Sequence, residues 1–362
     1  MRKSLAVHDL DWLLLALAVL IAAIGVVEIY GTTAHTALAS QYKRQIFWVA
    51  MGVIVALVVS QLDYHLILEH SPWLFALCVI TLAGLLLGGR SIAGTRRWLH
   101  LGGLTFQVSE LAKMVIILVV AAHFADRRGN STAWRDLAKL GALVGVPAVL
   151  VALEPDLGTA LTFFPIVAVA IFMGGIRARH VVALGLLFAL ILPLGWHHLR
   201  PYQRERVLTF LNPSQDTQGS SYQVTQTRIA IGSGGFWGKG IGNGTQSRLG
   251  FIPVSRADSI FAAFAEEKGF VGTLFVLLLY FALLLRLTDG AQMARDRAGA
   301  FLVIGIASVL FFQIVVNIGM LIGFFPIAGI PLPLMSQGGS SVLLTFAGLG
   351  LAMSVKMRRI LN

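Results

Sequence analysis

The chain has 362 residues, of which 57% are apolar and only 12% charged, with a mean hydropathy of +0.80. This excludes an ordinary soluble enzyme, where apolar residues make up about 45–50% and charged residues about 25%. It fits a polytopic membrane protein built from spans of roughly 20 residues. The net charge of +11 would point to nucleic acid in a soluble protein. Here most Lys and Arg residues fall between apolar runs, where membrane orientation accounts for them, so no nucleic-acid partner is expected. Cys78 is the only cysteine, which rules out an intrachain disulfide and a cysteine zinc cluster.

Arg2 and Lys3 precede the first apolar run, 12–27, and Ala37-Leu38-Ala39 mimics a signal-peptidase site. That tripeptide lies well beyond the run and many further spans follow, so the run reads as a retained first span. Further runs at 46–62, 72–89, 106–124, 137–153, 158–175, 180–197, 260–286, 299–325 and 337–355 bring the expected count to ten. An even count puts both termini on one side. The segments on that side carry thirteen Lys and Arg residues, from Arg2 and Lys3 to Arg358 and Arg359, against five in the short loops opposite: Lys43, Arg44, Arg90, Arg96 and Arg97. Both termini are therefore expected in the cytoplasm. The expected architecture is an all-α polytopic membrane protein, one transmembrane domain over 1–362, with a large extracytoplasmic loop at 198–257 between spans seven and eight.

That loop is polar, and long loops of this kind are usually functional. Glycines crowd its second half, Gly232 to Gly250, and predict a compact, turn-rich structure, while Ser220 to Ile231 could form an amphipathic helix lying on the bilayer. The glycine spacing excludes a P-loop, because Ser233 and Gly240 stand where glycine and Ser/Thr are needed.

Ionisable groups at membrane depth are costly and become functional candidates. Glu110 and Lys113 share a helical face, either as a neutralised structural pair or as a carboxylate and an ammonium facing a cavity, the latter suited to phosphate. Glu154 and Asp156 flank Pro155 at the outer end of the fifth span, where Asp156 could do no more than cap the next helix. Asp258 stands where the long loop re-enters the membrane, as an N-cap, a general base or a metal ligand. Glu266, Glu267 and Lys268 read best as a structural network. Gly338-Gly339-Ser340-Ser341 opens the last span, either as an anion site at a helix start or as a packed turn. Arg96-Arg97-Trp98 could meet lipid headgroups or a pyrophosphate. The nine histidines show no metal-ligand spacing.

Several stretches together resemble the shape, elongation, division and sporulation (SEDS) family. They are Arg97-Trp98, Phe106 to Lys113, Glu154-Pro-Asp156-Leu-Gly-Thr159, Arg200-Pro-Tyr-Gln-Arg204-Glu-Arg206 to Pro213, Gly238 to Gln246, and Asn317 to Ser341. Gly329-Ile-Pro-Leu-Pro333 and the short N-terminus are closer to the elongation branch than to the division branch. The resemblance implies ten helices and a peptidoglycan glycosyltransferase that polymerises lipid II on the outer face of the cytoplasmic membrane. It also implies a single-pass class B penicillin-binding protein as partner, alongside other elongation-complex proteins and membrane lipids. By position, Asp258 matches the family's essential loop aspartate, and Glu110, Lys113 and Asp156 match its cavity residues. Pro253-Val-Ser-Arg-Ala-Asp258 keeps the aspartate but lacks the usual neighbouring glutamate and histidine. Gln337 and Val108 replace a usual tyrosine and proline.

On this reading Asp258 is the general base, or the ligand of a divalent cation such as Mg²⁺ or Mn²⁺. Lys113, oriented by Glu110, would hold the pyrophosphate together with Arg97 and the loop arginines Arg204 and Arg206. Ser340 and Ser341 would offer backbone and hydroxyl donors. A lipid II flippase and a non-catalytic scaffold for the penicillin-binding protein are the alternatives.

Overall fold

The apolar runs become helices, and most of their ends lie within a few residues of the expected limits. In the computed structural model of the chain the described residues are 10–33, 40–88, 97–101, 104–125, 134–175, 180, 182–183, 185–186, 201–211, 220–252 and 255–359. The long helices of the first half are α1 (Trp12–Thr33), α2 (Gln41–Gln61), α4 (Ser71–Gly88), α5 (Val108–Ala125) and α6 (Trp134–Leu153), with a short α3 (Tyr64–Glu69) between α2 and α4. The sixth run is not one helix. It divides into α7 (Leu157–Leu161) and α8 (Phe164–Met173), because the Thr162 hydroxyl donates back to the Thr159 carbonyl and Pro165 brings no N–H to the junction. Of the seventh run only positions 180, 182–183 and 185–186 lie among the described residues.

The long loop is largely helical where it is described, with α9 (Pro201–Leu211), α10 (Ser220–Ser233) and α11 (Thr245–Arg248). Then come α12 (Ile260–Gln292), α13 (Arg297–Ile322) and α14 (Gly339–Met357). Seven of these helices are long and apolar enough to cross a membrane: α1, α2, α4, α6, α12, α13 and α14. Among the described residues the one departure from an all-α chain is a two-stranded antiparallel hairpin, β1 (Trp98–Leu101) with β2 (Leu104–Gln107). It runs straight into α5.

Helices α13 and α14 are the most buried of the spans and form the centre of the bundle. α14 approaches α2 at glycine contacts: a methyl on Gly350 would lie 2.6 Å from the Ala56 carbonyl oxygen, and one on Gly52 would lie 2.5 Å from the Phe346 ring. Small residues of this kind let two backbones meet closely in lipid, where no hydrophobic force drives association.

Charged clusters close one end of the bundle. Asp11, 2% exposed at its side chain, receives Arg286 from α12 at 3.0 Å and Lys356 from α14 at 2.5 Å. Asp296 caps α13 through the Gly299 amide and also accepts from Tyr64 at 3.0 Å, with His65 against its second oxygen. These hydrogen bonds hold the Asp296 carboxyl below its ordinary range, against the effect of burial. The hairpin, the α6–α7 turn, helices α9 to α11 and the 323–338 loop lie at the opposite end.

The α10 helix does not simply rest on lipid. Its buried face meets α12 and α13, and Thr227, fully buried, donates to the Leu321 carbonyl at 3.0 Å. Arg228 beside it caps the end of α13, donating to the carbonyls of Ile322 at 2.9 Å and Gly323 at 3.4 Å. The glycine-rich segment is turn-rich, as expected, with left-handed backbone at Gly235, Gly238, Gly240 and Gly242. Of the expected network of Glu266, Glu267 and Lys268, the part at Glu266 is present: it accepts from Lys239 at 2.8 Å, Thr245 at 3.0 Å and the amides of Gln246 and Ser247 at 2.9 and 3.1 Å, whereas both carboxylate oxygens of buried Glu267 lack a hydrogen-bond partner among the described residues. Glu266 thereby ties the glycine-rich segment to α12.

Asp11→Asn removes the charge that two cations from distant helices share. It should lower the unfolding free energy by roughly 1–3 kcal/mol, read as a reduced melting temperature in detergent. An unchanged melting temperature would show that the cluster does not hold this end together.

Candidate active site

The backbone before α12 is immobilised by three consecutive carbonyls. The Arg256 carbonyl accepts from the Gln337 amide at 2.9 Å, that of Ala257 from the Ser336 hydroxyl at 2.7 Å, and that of Asp258 from the Asn317 side-chain amide at 2.9 Å. Asn317 also donates to the Ile330 carbonyl at 2.7 Å, so one buried amide joins the re-entry segment to the 329–338 loop. The N-cap of α12 is Ser259, with no capping hydrogen bond from its side chain. The Asp258 carboxylate is therefore not spent on capping.

Arg206 from α9 reaches the same place and donates to the Ile327 carbonyl at 3.2 Å. Gly329 lies between the two charges: a methyl there would sit 3.5 Å from Asp258 Oδ2 and 3.9 Å from Arg206 Nη1, at a left-handed φ of +67°. Arg204, two residues away on α9, is off that helical face. The charges that act on Asp258 include Arg206, Arg97 and Asp156.

Arg97 enters just before the hairpin and places Nη1 3.0 Å from Asp156 Oδ2. Asp156 does cap α7, through the Thr159 amide at 3.2 Å, but its second oxygen also takes Gln107 Nε2 at 2.9 Å. Ser340 serves the hairpin, since its hydroxyl accepts the Gln107 amide at 3.0 Å. Ser341 gives its carbonyl to Thr345 further along α14. Four of the nine candidates, Asp258, Arg206, Arg97 and Asp156, thus form one electrostatic cluster at one end of the bundle. Burial pushes the Asp258 carboxyl above its ordinary range and Arg206 and Arg97 draw it back, while Asp156 adds to the rise.

Glu110 and Lys113 form a separate site. Their side chains pair at 2.7 Å, both buried, in a cavity of about 30 Å³ lined also by Gln313 and Thr345. That is room for about one water. Asn317 and Ser336 were not singled out among the candidate site residues, although an Asn inside an apolar run is itself a signal.

The donor set around Asp258 does not fit a protein-built divalent-cation centre. Its neighbours are two guanidiniums and a carboxylate already committed to Arg97, Gln107 and Thr159, whereas Mg²⁺ needs several free oxygen ligands. Among the described residues no group of three or more His, Cys, Asp or Glu side chains could hold a metal.

Glu154, in the turn between α6 and α7, is buried with no hydrogen-bond partner for either carboxylate oxygen among the described residues. Burial pushes its pKa up to about 8, with Asp156 adding to the rise and Arg97 opposing it. The unfolded chain releases this proton near the ordinary value of 4.5. Between these values the folded state holds the extra proton, so this carboxyl costs stability progressively as pH rises. Glu154→Gln should therefore gain melting temperature over the parent as pH is raised from about 5 to 8. Parallel pH curves would contradict this.

Comparison with known proteins places this geometry in a family. Residues 11–360 match the family of cell cycle proteins that comprises FtsW, RodA and SpoVE. The chain is 38% identical to the peptidoglycan glycosyltransferase MrdB of Escherichia coli K12 over 318 residues, covering 88% of this chain and 86% of that one. It is 31% identical to the peptidoglycan glycosyltransferase RodA of Treponema pallidum, covering 98% and 99%. Among solved structures it resembles a chain from work on polymerization and crosslinking by a peptidoglycan synthase complex, with a TM-score of 0.83, 33% identity and 98% and 99% coverage. It also resembles the rod shape determining protein RodA of Thermus thermophilus, with a TM-score of 0.73, 31% identity and 98% of each chain covered. The chain belongs to the FtsW/RodA/SpoVE (SEDS) family of polytopic membrane proteins.

Proposed function

We propose that this protein is a peptidoglycan glycosyltransferase that polymerises lipid II during cell elongation, with Asp258 as general base. The observation that carries the reading is a carboxylate free of capping duty, held on an immobilised backbone and faced by two guanidiniums. Similarity over nearly the whole length to relatives named as peptidoglycan glycosyltransferases supplies the reaction class.

In this mechanism Asp258 accepts the proton of the acceptor sugar's C4 hydroxyl as that oxygen attacks the anomeric carbon of the donor. The bond to the lipid pyrophosphate breaks in the same step, with inversion at the anomeric centre. Arg206 and Arg97 face the charge that grows on the departing pyrophosphate. Asp156 and Gln107 position Arg97. Burial favours the neutral carboxylic acid, which makes Asp258 a better proton acceptor than a solvated aspartate, while the two arginines keep it ionisable. Lys113, paired with Glu110, would meet the pyrophosphate only after its small cavity widens, and a translocating role would need the same widening. Arg204, Ser340 and Ser341 act, on this account, by shaping the walls of the site.

The reaction runs on the outer face of the bacterial cytoplasmic membrane, with both termini cytoplasmic, because Arg286, Lys356 and Arg358 collect at the end opposite Asp258. A single-pass class B penicillin-binding protein is the partner, crosslinking the strands this protein makes. The synthase complex to which one structural relative belongs supports that pairing.

With purified protein, the partner and lipid II in detergent, glycan strands should form. Asp258→Asn should abolish them, a loss of at least about 10³-fold, while leaving folding and partner binding intact. Strand formation at the parent rate by the variant would overturn the assignment of the base and favour a scaffold.

A further inference from the structure

Two carboxylates buried between α1 and α12 take no part in the mechanism above. Glu28, in the last third of α1, is 1% exposed, and its Oε1 has no hydrogen-bond partner among the described residues. Glu267 on α12 is equally buried and lacks a partner for either oxygen. The two helices pack directly, and the Glu267 carboxylate lies against α1: a methyl on Gly31 would sit 3.1 Å from its Oε2 and 3.4 Å from its Oε1. Gly31 is three residues from Glu28 and on the same helical face. The glycine thus leaves the room in which one carboxylate from each helix meets the other.

A buried carboxylate, unlike an exposed one, must be neutralised within the protein. Glu266 beside the pair is already satisfied by Lys239, Thr245 and two backbone amides. The charged groups that act on Glu28 include Glu267, Lys268 and Glu266, and those that act on Glu267 include Lys268 and Glu266. Lys268 is the cation among them, one positive charge for two carboxylates. Both Glu267 oxygens and Glu28 Oε1 are beyond its hydrogen-bonding reach. Among the described residues no third acidic, histidine or cysteine side chain completes a metal site there. Carboxylates held together away from water do not both ionise, and one proton settles the pair.

We infer that Glu28 and Glu267 bind one proton between them, as a carboxylic acid donating to a carboxylate, and that this hydrogen bond clamps α1 to α12. Above the ordinary carboxylate range the unfolded chain does not hold that proton. The clamp's contribution to stability is therefore present at low pH and is lost as rising pH strips the proton from the folded pair. Two buried negative charges then push α1 away from the helix that follows Asp258.

Glu28→Gln and Glu267→Gln in the full-length protein test the inference, because an amide supplies a neutral donor that pH cannot remove. Each variant should melt within about a degree of the parent near pH 5 and gain about 2–4 °C over it near pH 9. In infrared spectra at neutral pH, a protonated-carboxyl band that shifts in D₂O should be present in the parent and missing from Glu28→Gln. Melting curves that stay parallel across pH, or a carboxyl band of equal strength in parent and Glu28→Gln, would overturn the inference. So would failure of both amide variants to fold, since the proposed clamp tolerates an amide in place of the neutral acid.

Discussion

The geometry of the site depends on one buried amide. Asn317, fully enclosed in the central helix α13, spends both of its N–H groups on carbonyls, one on Asp258 and one on Ile330. With Ser336 on Ala257 and the Gln337 amide on Arg256, it leaves the re-entry segment no free carbonyl over three residues. Backbone fixed this firmly removes the reorganisation that a catalytic carboxylate would otherwise undergo before each proton transfer. The hydrogen bonds also link the end of the 198–257 loop, α13 and the 329–338 loop, so the carboxylate and the arginine opposite are set by the bundle's core and not by the surface.

Charge is arranged in layers along the bundle. At one end Asp11 and Asp296 draw helix ends together. In the middle Glu110 and Lys113 neutralise each other across less than a turn. At the other end Arg97 and Arg206 act together on Asp258, and Asp156 is paired with Arg97. Two guanidiniums beside a raised carboxylate suit the proposed reaction, which consumes a hydroxyl proton and releases a pyrophosphate, whereas the Glu110–Lys113 pair is closed on itself.

The spans were legible because a 3.6-residue helix in lipid leaves a long apolar run in the sequence. The break at Thr162 and Phe163 was not, since it turns on one hydroxyl and one missing N–H inside an otherwise continuous run. The hairpin before α5 was hidden for a similar reason: its two strands of four residues are shorter than any pattern window, and Gln107 and Ser340 pin it from 233 positions apart. Asp258 stood out as a carboxylate at a membrane re-entry, and the Glu266 network as charges that required partners. The division of the candidates into an Asp258 cluster and a separate Glu110–Lys113 pair depends on tertiary distances that no local spacing encodes. The same holds for Arg206 acting on Asp258 across the 329–338 loop. For the α10 helix, the amphipathic pattern showed that one face would be buried but not that protein would cover it.

The central claim is that Asn317 sets the catalytic position of Asp258. Asn317→Leu keeps the branched shape at Cγ and removes both donors. Its rate of glycan-strand formation from lipid II, measured with folded protein and partner, should fall by about 10²-fold with little change in the lipid II concentration needed for half the maximal rate. A rate equal to the parent's would contradict the account.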